Sequence, residues 1–268
     1  MGAANARALK GIYAPMAPDY EDIWAPLLHP YGRRLLDMLP LTRARRVLEL
    51  GCGVGRLLPD IAGRAPDASV IGCDLVEEML RRAPPGFLRT VVDGTRLPFA
   101  EASFDAMVSA FCIFHFPDPP AALHAARRMI APRGSIALAV WGTGATFPAA
   151  DAWDEALDRL DVPSDPVAAE LLEGRELVDS TEKMGVALED AGFENVRSES
   201  VEWRVQWTVE GFLDWRLRMG PSRRRLAQLD PERRAVVIAE ARARVVELGA
   251  AALMDLDEIV LASGQTPG

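Results

Sequence analysis

The sequence is poor in cysteine, histidine and tyrosine, with three residues of each type among 268. The cysteines are Cys52, Cys73 and Cys112, an odd number without a C-x-x-C pair, which argues against both a disulfide framework and a cysteine zinc site. Each of them lies in or beside an apolar run, where a thiol packs as a small hydrophobic group. We therefore predict a reducing, cytoplasmic setting and no metal site.

Long apolar runs and an excess of positive charge are also missing. No stretch reaches the roughly 18 apolar residues of a membrane span, and the N-terminal region lacks the apolar core of a secretory signal. Lys and Arg number 30 against 39 Asp and Glu, so the net charge is -9. Non-specific binding to nucleic acid depends on clustered Lys and Arg. We therefore expect no membrane partner and disfavour a nucleic-acid partner.

Three glycines, by contrast, stand at alternate positions in the run VLELGCGVGRL over residues 47–57. An apolar strand is followed by Gly51, Gly53 and Gly55 and then by the start of a helix. Glycine can adopt positive φ and allows a ligand to approach the backbone, while a helix start presents free N–H groups. The G-x-G-x-G spacing differs from the G-x-G-x-x-G of a dinucleotide turn. The run therefore indicates a ligand-binding turn; a glycine-rich turn without a ligand is the alternative.

Apolar runs alternate with helical segments between residues 46 and 141. Such alternation predicts βαβ units and a parallel sheet that is covered on both faces. Strands are predicted over 46–50, 69–74, 88–92, 104–110, 135–141, 195–207 and 258–263. Helices are predicted over 56–64, 76–83, 119–130 and 181–191, with two more between 208 and 257.

Further motifs stand at the ends of these strands: IGCD at 71–74, VVDGTRLPF at 91–99, FDAMVSAF at 104–111 and FHFPDP at 114–119. Together with the glycine run, their order and spacing resemble the class I S-adenosylmethionine (SAM)-dependent methyltransferases. The resemblance is closest to the methyltransferase type 11 group, which includes ubiquinone/menaquinone C-methyltransferase-like proteins. It covers about 45–142 and, less closely, 181–205.

The resemblance implies an α/β fold, a Rossmann-like seven-stranded sheet in the order 3-2-1-4-5-7-6 with strand 7 antiparallel, helices on both faces and a helical cap. Residues 195–207 would be strand six and 258–263 strand seven. The implied organisation, in chain order, is an N-terminal helical cap segment (1–40), the SAM-binding core (41–142), a cap insertion (143–180), a core helix with strand six (181–207), a helical cap insertion (208–257) and the last strand with the tail (258–268).

The resemblance also implies a SAM site, with S-adenosylhomocysteine (SAH) as the product, at the carboxyl ends of the strands. Glu49 would receive the ammonium group, Asp74 the ribose hydroxyls and Asp93 the adenine amine. Met79 would pack on adenine or, alternatively, be a core methionine. Backbone near Ala110 would bind the methionine amine. The full implied cofactor-binding set is Glu49, Gly51, Cys52, Gly53, Gly55, Asp74, Leu75, Met79, Asp93, Gly94, Thr95, Ala110 and His115.

Two of the three histidines are candidate catalytic residues. His115 follows the fourth strand in a segment resembling the family's H-H-x-P-D-P, but Phe114 replaces the first histidine, and a structural histidine is the alternative. His29 lies in the N-terminal segment and could reach a substrate or simply lie on the surface. His124 faces outward from a predicted helix. A base is needed only if the acceptor must lose a proton.

We predict methyl transfer to oxygen, carbon or nitrogen of a small hydrophobic or aromatic metabolite, with bacterial specialised metabolism as a plausible setting, by a monomer or homodimer. Most tryptophans lie outside the motif block, among them Trp24, Trp153 and Trp215. They indicate either an acceptor pocket or an ordinary cap core. A SAM-binding protein that catalyses a non-methylating reaction such as cyclisation is one alternative. A tRNA or protein methyltransferase is another. The basic segment 216–225, which contains Arg223–Arg225, could bind RNA or an acidic substrate, or it could be a solvated helix end.

Overall fold

The computed structural model of the chain describes residues 3–165, 167 and 174–268. Parts of the predicted segments 1–40 and 143–180, namely residues 1–2, 166 and 168–173, lie outside the described residues. The strands are β1 (Arg46–Leu50), β2 (Ser69–Asp74), β3 (Leu88–Val91), β4 (Phe104–Ala110), β5 (Ile130–Trp141), β6 (Glu194–Gln206) and β7 (Met254–Gln265).

The helices of the N-terminal and motif regions are α1 (Ala3–Tyr13), α2 (Ala17–Asp19), α3 (Ala25–Leu36), α4 (Leu58–Arg64), α5 (Glu77–Leu80) and α6 (Pro119–Met129). Those that follow are α7 (Pro148–Arg159), α8 (Thr181–Asp190), α9 (Val209–Arg218), α10 (Gly220–Leu226) and α11 (Pro231–Leu248). A π-helical turn, Tyr20–Trp24, separates α2 from α3.

The seven strands form one sheet in the order β3-β2-β1-β4-β5-β7-β6, as predicted. β1 pairs in parallel with β2 on one side and β4 on the other, so the strand order reverses beside β1. β5 pairs in parallel with β4 and antiparallel with β7. Because ligands of such sheets bind at the carboxyl ends of the strands beside this reversal, the topology places the candidate site after β1, β2 and β4.

The apolar strand residues pack with helix residues into the main core. Leu48, Met107 and Leu138 are fully buried in it, together with Leu123 of α6 and Leu188 of α8. Asp118 begins α6 by accepting a hydrogen bond from the Ala121 N–H at 2.9 Å, which satisfies a free donor of the first turn. Packing of the sheet against these helices therefore positions the strand ends.

The described residues form two compact units. The first takes residues 3–142, 174–201 and 259–268, and the second takes 143–165, 167 and 202–258. The second unit has its own apolar core around Trp153, Phe212 and Val237. Among the described residues, no helix is long and apolar enough to cross a membrane.

The prediction of two helices between 208 and 257 was wrong, because the described chain forms three there. Pro221 has no N–H and disfavours a helical conformation in the residue before it. Gly220 accordingly has φ +68°, and Met219 is extended at φ −131° and ψ 161°, so α9 ends before α10 begins. The last strand is also longer than predicted, since it begins at Met254 rather than 258.

Candidate functional site

The glycine turn after β1 requires glycine for two different reasons. Gly51 has φ +72°, and a Cβ built on it would lie 2.2 Å from Cys112 Sγ, so the neighbouring loop leaves no room for a side chain. Gly53 has φ +53°, and its nearest neighbour would be Cε1 of Tyr20 at 3.6 Å. The conformation therefore explains Gly53, whereas both conformation and packing explain Gly51.

A cavity of about 720 Å³, here termed the main cavity, opens at the carboxyl ends of β1, β2 and β4. Its lining includes many of the predicted cofactor residues: Gly51, Gly53, Asp74, Leu75, Met79, Gly94, Ala110 and His115. The structure therefore brings residues from five separate motifs to one cavity.

Asp74 ties the end of β2 to the glycine turn. Its Oδ2 accepts a hydrogen bond from the Gly53 N–H at 2.8 Å, and its Oδ1 accepts one from the Val76 N–H at 2.9 Å. Burial raises the pKa of this carboxyl, and these backbone hydrogen bonds oppose the rise. Since a carboxylate oxygen has two lone pairs, both oxygens can still accept hydroxyl donors from a ligand.

Glu49 is a buried carboxyl that forms no salt bridge with any of the described residues. Its side chain is 3% exposed, and Oε2 has no hydrogen-bond partner among the described residues. Burial raises its pKa to about 8, and the negative charges of Asp74 and Asp60 add to the rise. An unpaired buried carboxylate is unfavourable, so this position would be stabilised by a positively charged group.

The loop after β3 is organised by Asp93. Its Oδ1 accepts hydrogen bonds from Thr95 N at 3.0 Å and Thr95 Oγ1 at 2.7 Å. Gly94 lines the main cavity, whereas Asp93 and Thr95 are absent from its lining. A Cβ on Gly94 would lie 2.4 Å from Cζ of Phe116, so Phe116 packs directly on this loop.

The main cavity also takes three residues from the N-terminal helical segment: Leu9, Tyr13 and Tyr20. The Tyr13 hydroxyl lies 3.0 Å from His115 Nε2. His115 Nδ1 is buried and has no partner among the described residues, and burial lowers the pKa of the imidazole to about 4. Aromatic side chains outside the motif block indicated an acceptor pocket or a cap core. Tyr13 and Tyr20 line this cavity, although neither was among the predicted site residues.

A second cavity of about 420 Å³, here termed the side cavity, adjoins the first. It is lined by Glu49, Cys52, His29 and Arg56, and it shares four residues with the main cavity, Tyr20, Gly51, Ala110 and Phe111. His29 Nε2 lies 2.6 Å from Asp60 Oδ2. The two candidate histidines thus face different cavities, and His124 is exposed on α6.

Gly55 lines neither cavity. A Cβ on it would lie 2.6 Å from Cβ of Ala83, so its role in the structure is close packing of the turn. Among the described residues, no three His, Cys, Asp or Glu side chains form a group able to hold a metal ion.

Several tryptophans of the second unit are core residues. Trp153 and Trp203 are almost fully buried, and their indole N–H groups donate to Ser222 Oγ at 2.7 Å and to Asp255 Oδ2 at 2.9 Å. These contacts favour the cap-core interpretation for both. Trp24 and Trp141 belong to the first unit and contact each other with ring centroids 6.0 Å apart.

Two arginines of the 223–225 run are engaged by acidic partners. Arg224 lies 2.5 Å from Asp165 Oδ2, and Arg225 lies 2.6 Å from Asp158 Oδ1. Phosphate binding requires basic side chains that are available to the ligand, so these two pairings weigh against a nucleic-acid surface here.

The residues present fit SAM. The buried carboxyl of Glu49, whose Oε2 has no hydrogen-bond partner among the described residues, suits the ammonium group. A carboxylate at the end of β2 suits ribose hydroxyls, and the apolar side chains of Leu75, Met79 and Val92 suit adenine. The positive sulfonium also suits the main cavity, where Asp74 supplies a carboxylate to the lining.

Comparison with known proteins agrees with this fit. A family model described as "Methyltransferase domain" matches residues 48–138. Nocamycin O-methyltransferase of Saccharothrix syringae is 30% identical over 251 residues, which cover 85% of this chain and 88% of that protein.

Two solved structures have a similar fold. Phosphoethanolamine N-methyltransferase 2 of Haemonchus contortus, in complex with SAH, aligns with TM-score 0.53 and 17% identity over 89% of this chain, which spans 53% of that chain. The [4+2]-cyclase SpnF aligns with TM-score 0.56 and 17% identity, over 89% of this chain and 81% of that one.

Proposed function

Since the chain belongs to the SAM-dependent methyltransferases, we propose that it methylates oxygen, carbon or nitrogen of a small apolar or aromatic metabolite. SAM is the cofactor, and it supplies a methyl group already activated on a sulfonium. The observation that carries the proposal is the junction of the two cavities at Tyr20, Gly51, Ala110 and Phe111.

In the proposed binding mode, Asp74 accepts hydrogen bonds from the ribose and Glu49 pairs with the ammonium group. Leu75 and Met79 pack on adenine, and the backbone of Gly94 lies at its edge. The support is positional, because these groups line two adjoining cavities that share four residues. Cys52 and Ala110 would contact the methionine part, while Gly55, Asp93 and Thr95 would shape the surrounding loops.

The proposed catalytic contribution is mainly alignment and exclusion of water, since in-line displacement from an activated donor needs little covalent assistance. His115 has a pKa near 4 and is neutral at physiological pH. It is therefore suited to accept or donate a hydrogen bond rather than to remove a proton. His29, held by Asp60, is the better-placed base if the acceptor must be deprotonated.

A small acceptor is supported by the aromatic residues at the junction and by the relative named for O-methylation of nocamycin. Bacterial specialised metabolism remains our proposed setting, the cytoplasm our proposed location, and a monomer or homodimer our proposed state. The alternative of cyclisation on this fold has one specific support, the similarity of fold to SpnF. The tRNA or protein alternative loses support from the acidic net charge and the paired Arg224 and Arg225.

The proposal is tested by incubating the protein with methyl-labelled SAM and a small-molecule extract, and following the label into organic-soluble products. Transfer to a compound of low molecular mass is expected. Binding of SAM with no transfer to any acceptor would favour the non-methylating alternative. Label in tRNA or protein would contradict the small-molecule assignment.

A further inference from the structure

Two unusual backbone conformations lie on either side of the cavity junction. Between α2 and α3, the Ala25 N–H donates to the carbonyl of Tyr20, five residues earlier, which defines a π-helical turn. After β4, Phe111 has φ +55°, in the left-handed region that non-glycine residues seldom adopt. Both kinds of feature carry a conformational cost and concentrate at functional sites.

Both conformations occur at aromatic residues whose rings belong to one series of neighbouring rings. The π-helical turn begins at Tyr20, which lines both cavities, and ends at Trp24. The Trp24 ring lies 6.0 Å from that of Trp141, and the Trp141 ring lies 5.2 Å from that of Phe111. We term Trp24, Trp141 and Phe111 the aromatic row. All three residues are only partly buried.

Phe111 connects the row to the reacting methyl group. In SAM the sulfonium joins the nucleoside part to the amino-acid part, so the methyl group lies where those parts meet. Phe111 lines the main cavity, which contains Asp74, and also the side cavity, which contains Glu49. Among the four residues shared by the cavities, only Phe111 and Tyr20 have large side chains.

The sheet also positions two members of the row, Phe111 and Trp141, beside each other. Ala110 pairs with Ala139 across β4 and β5, and the Phe111 N–H donates to the Ala139 carbonyl at 2.8 Å. Trp141 is the last residue of β5, two positions later. The same hydrogen-bonded strand ends therefore set the position of Phe111 relative to Trp141.

We propose that the aromatic row is the acceptor-binding surface and that the acceptor is a flat, unsaturated ring compound. This inference rests on the proposed function and adds to it a substrate class. Two aromatic rings in offset-stacked or edge-to-face contact stabilise each other beyond what their buried apolar area contributes. A saturated ring of equal apolar area lacks this additional contribution. A planar acceptor packed on the row would present its nucleophilic atom toward the methyl group beside Phe111.

The test compares two named probes of similar size, planar 2-naphthol and saturated decahydro-2-naphthol, by calorimetry on the SAH-loaded protein. The wild-type protein should bind 2-naphthol at least about fivefold more tightly. Trp141→Leu and Trp24→Leu should each abolish most of this preference, whereas Trp141→Phe, which keeps a ring, should retain most of it. Trp215→Leu, in the second unit, is the matched control and should leave it unchanged.

SAH affinity, measured on every variant, reports whether the site remains folded. Equal affinity for the two probes in the wild type would overturn the inference, as would an undiminished preference in folded Trp24→Leu and Trp141→Leu. Methyl transfer to small molecules without a preference for the planar probe would leave the proposed function standing and would contradict the assignment of the aromatic row as the acceptor-binding surface. A preference for the planar probe without methyl transfer to any acceptor would support a planar ligand on the aromatic row and would contradict the proposed function.

Discussion

The Gly53 N–H donates a 2.8 Å hydrogen bond to Oδ2 of Asp74, residues from two different motifs. The bond joins the glycine turn after β1 to the end of β2. The carboxylate thus has two tasks in our proposal: it holds the turn that approaches the cofactor, and it accepts the ribose hydroxyls. A substitution at Asp74 should therefore affect the fold of the turn and the affinity for the cofactor together.

Asp74→Asn should weaken SAH binding by about tenfold or more. It removes the negative charge and one acceptor oxygen, and hydrogen bonds to charged groups contribute about 1.5–3 kcal/mol each. Calorimetric titration with SAH measures the change. Asp190→Asn, at an exposed residue at the end of α8, is the control. Unchanged affinity in Asp74→Asn would show that the ribose lies elsewhere.

Glu49→Gln should strengthen the unliganded fold and weaken cofactor binding. The folded-state pKa of Glu49 is raised from its ordinary 4.5 to about 8, so its contribution to stability is present below pH 4.5 and is lost as the pH rises toward and through 8. At pH 9 the variant should be more stable by about 1–3 kcal/mol, as denaturant unfolding would measure. A wild type that is the more stable protein at pH 9 would contradict the burial argument.

SAH binding at pH 7 should release protons from the wild type. Pairing with an ammonium group favours the ionised carboxylate, so the protonated Glu49 of the free protein must lose its proton. Calorimetry in two buffers of different ionisation enthalpy measures this release, and Glu49→Gln should show less of it. Equal proton release in both proteins would separate Glu49 from the ammonium site.

His115 should remain neutral across the physiological range. Burial lowers its pKa to about 4, so its ring resonances should not titrate between pH 5.5 and 9 in an NMR experiment, with His115→Asn used for assignment. A His115 midpoint near pH 6.5 would restore it as a candidate general base.

Gly51→Ala should destabilise the protein by more than about 2 kcal/mol, because its Cβ would collide with Cys112 Sγ and its φ is +72°. Gly63→Ala is the matched control. It lies in α4 with nothing within 4 Å of the added Cβ, so it should stabilise by about 0.4–1 kcal/mol. Denaturant unfolding of the two variants separates a specific steric requirement from a general effect of glycine removal.

The sheet order and the family could be predicted because they depend on local patterns. Apolar runs that alternate with helical segments specify βαβ units, and right-handed crossovers leave few possible orders. The residues at strand ends, such as Asp74 after β2 and Gly51 after β1, are then brought together by topology alone. The family and the cofactor were predicted from these motifs and are supported by the comparisons.

The environment of each side chain could not be predicted in the same way, since it depends on neighbours distant in sequence. The sequence by itself determined that Glu49 stands at a strand end, but only the tertiary structure decided that it is buried beside Asp74 without a cation. Likewise, it contained Tyr13 and His115, 102 positions apart, and folding decided that they meet at 3.0 Å. Trp24, Trp141 and Phe111 form one row only because a π-helical turn and two paired strand ends converge. Periodicity encodes elements and their order, whereas burial, pairing and pKa arise from packing between elements.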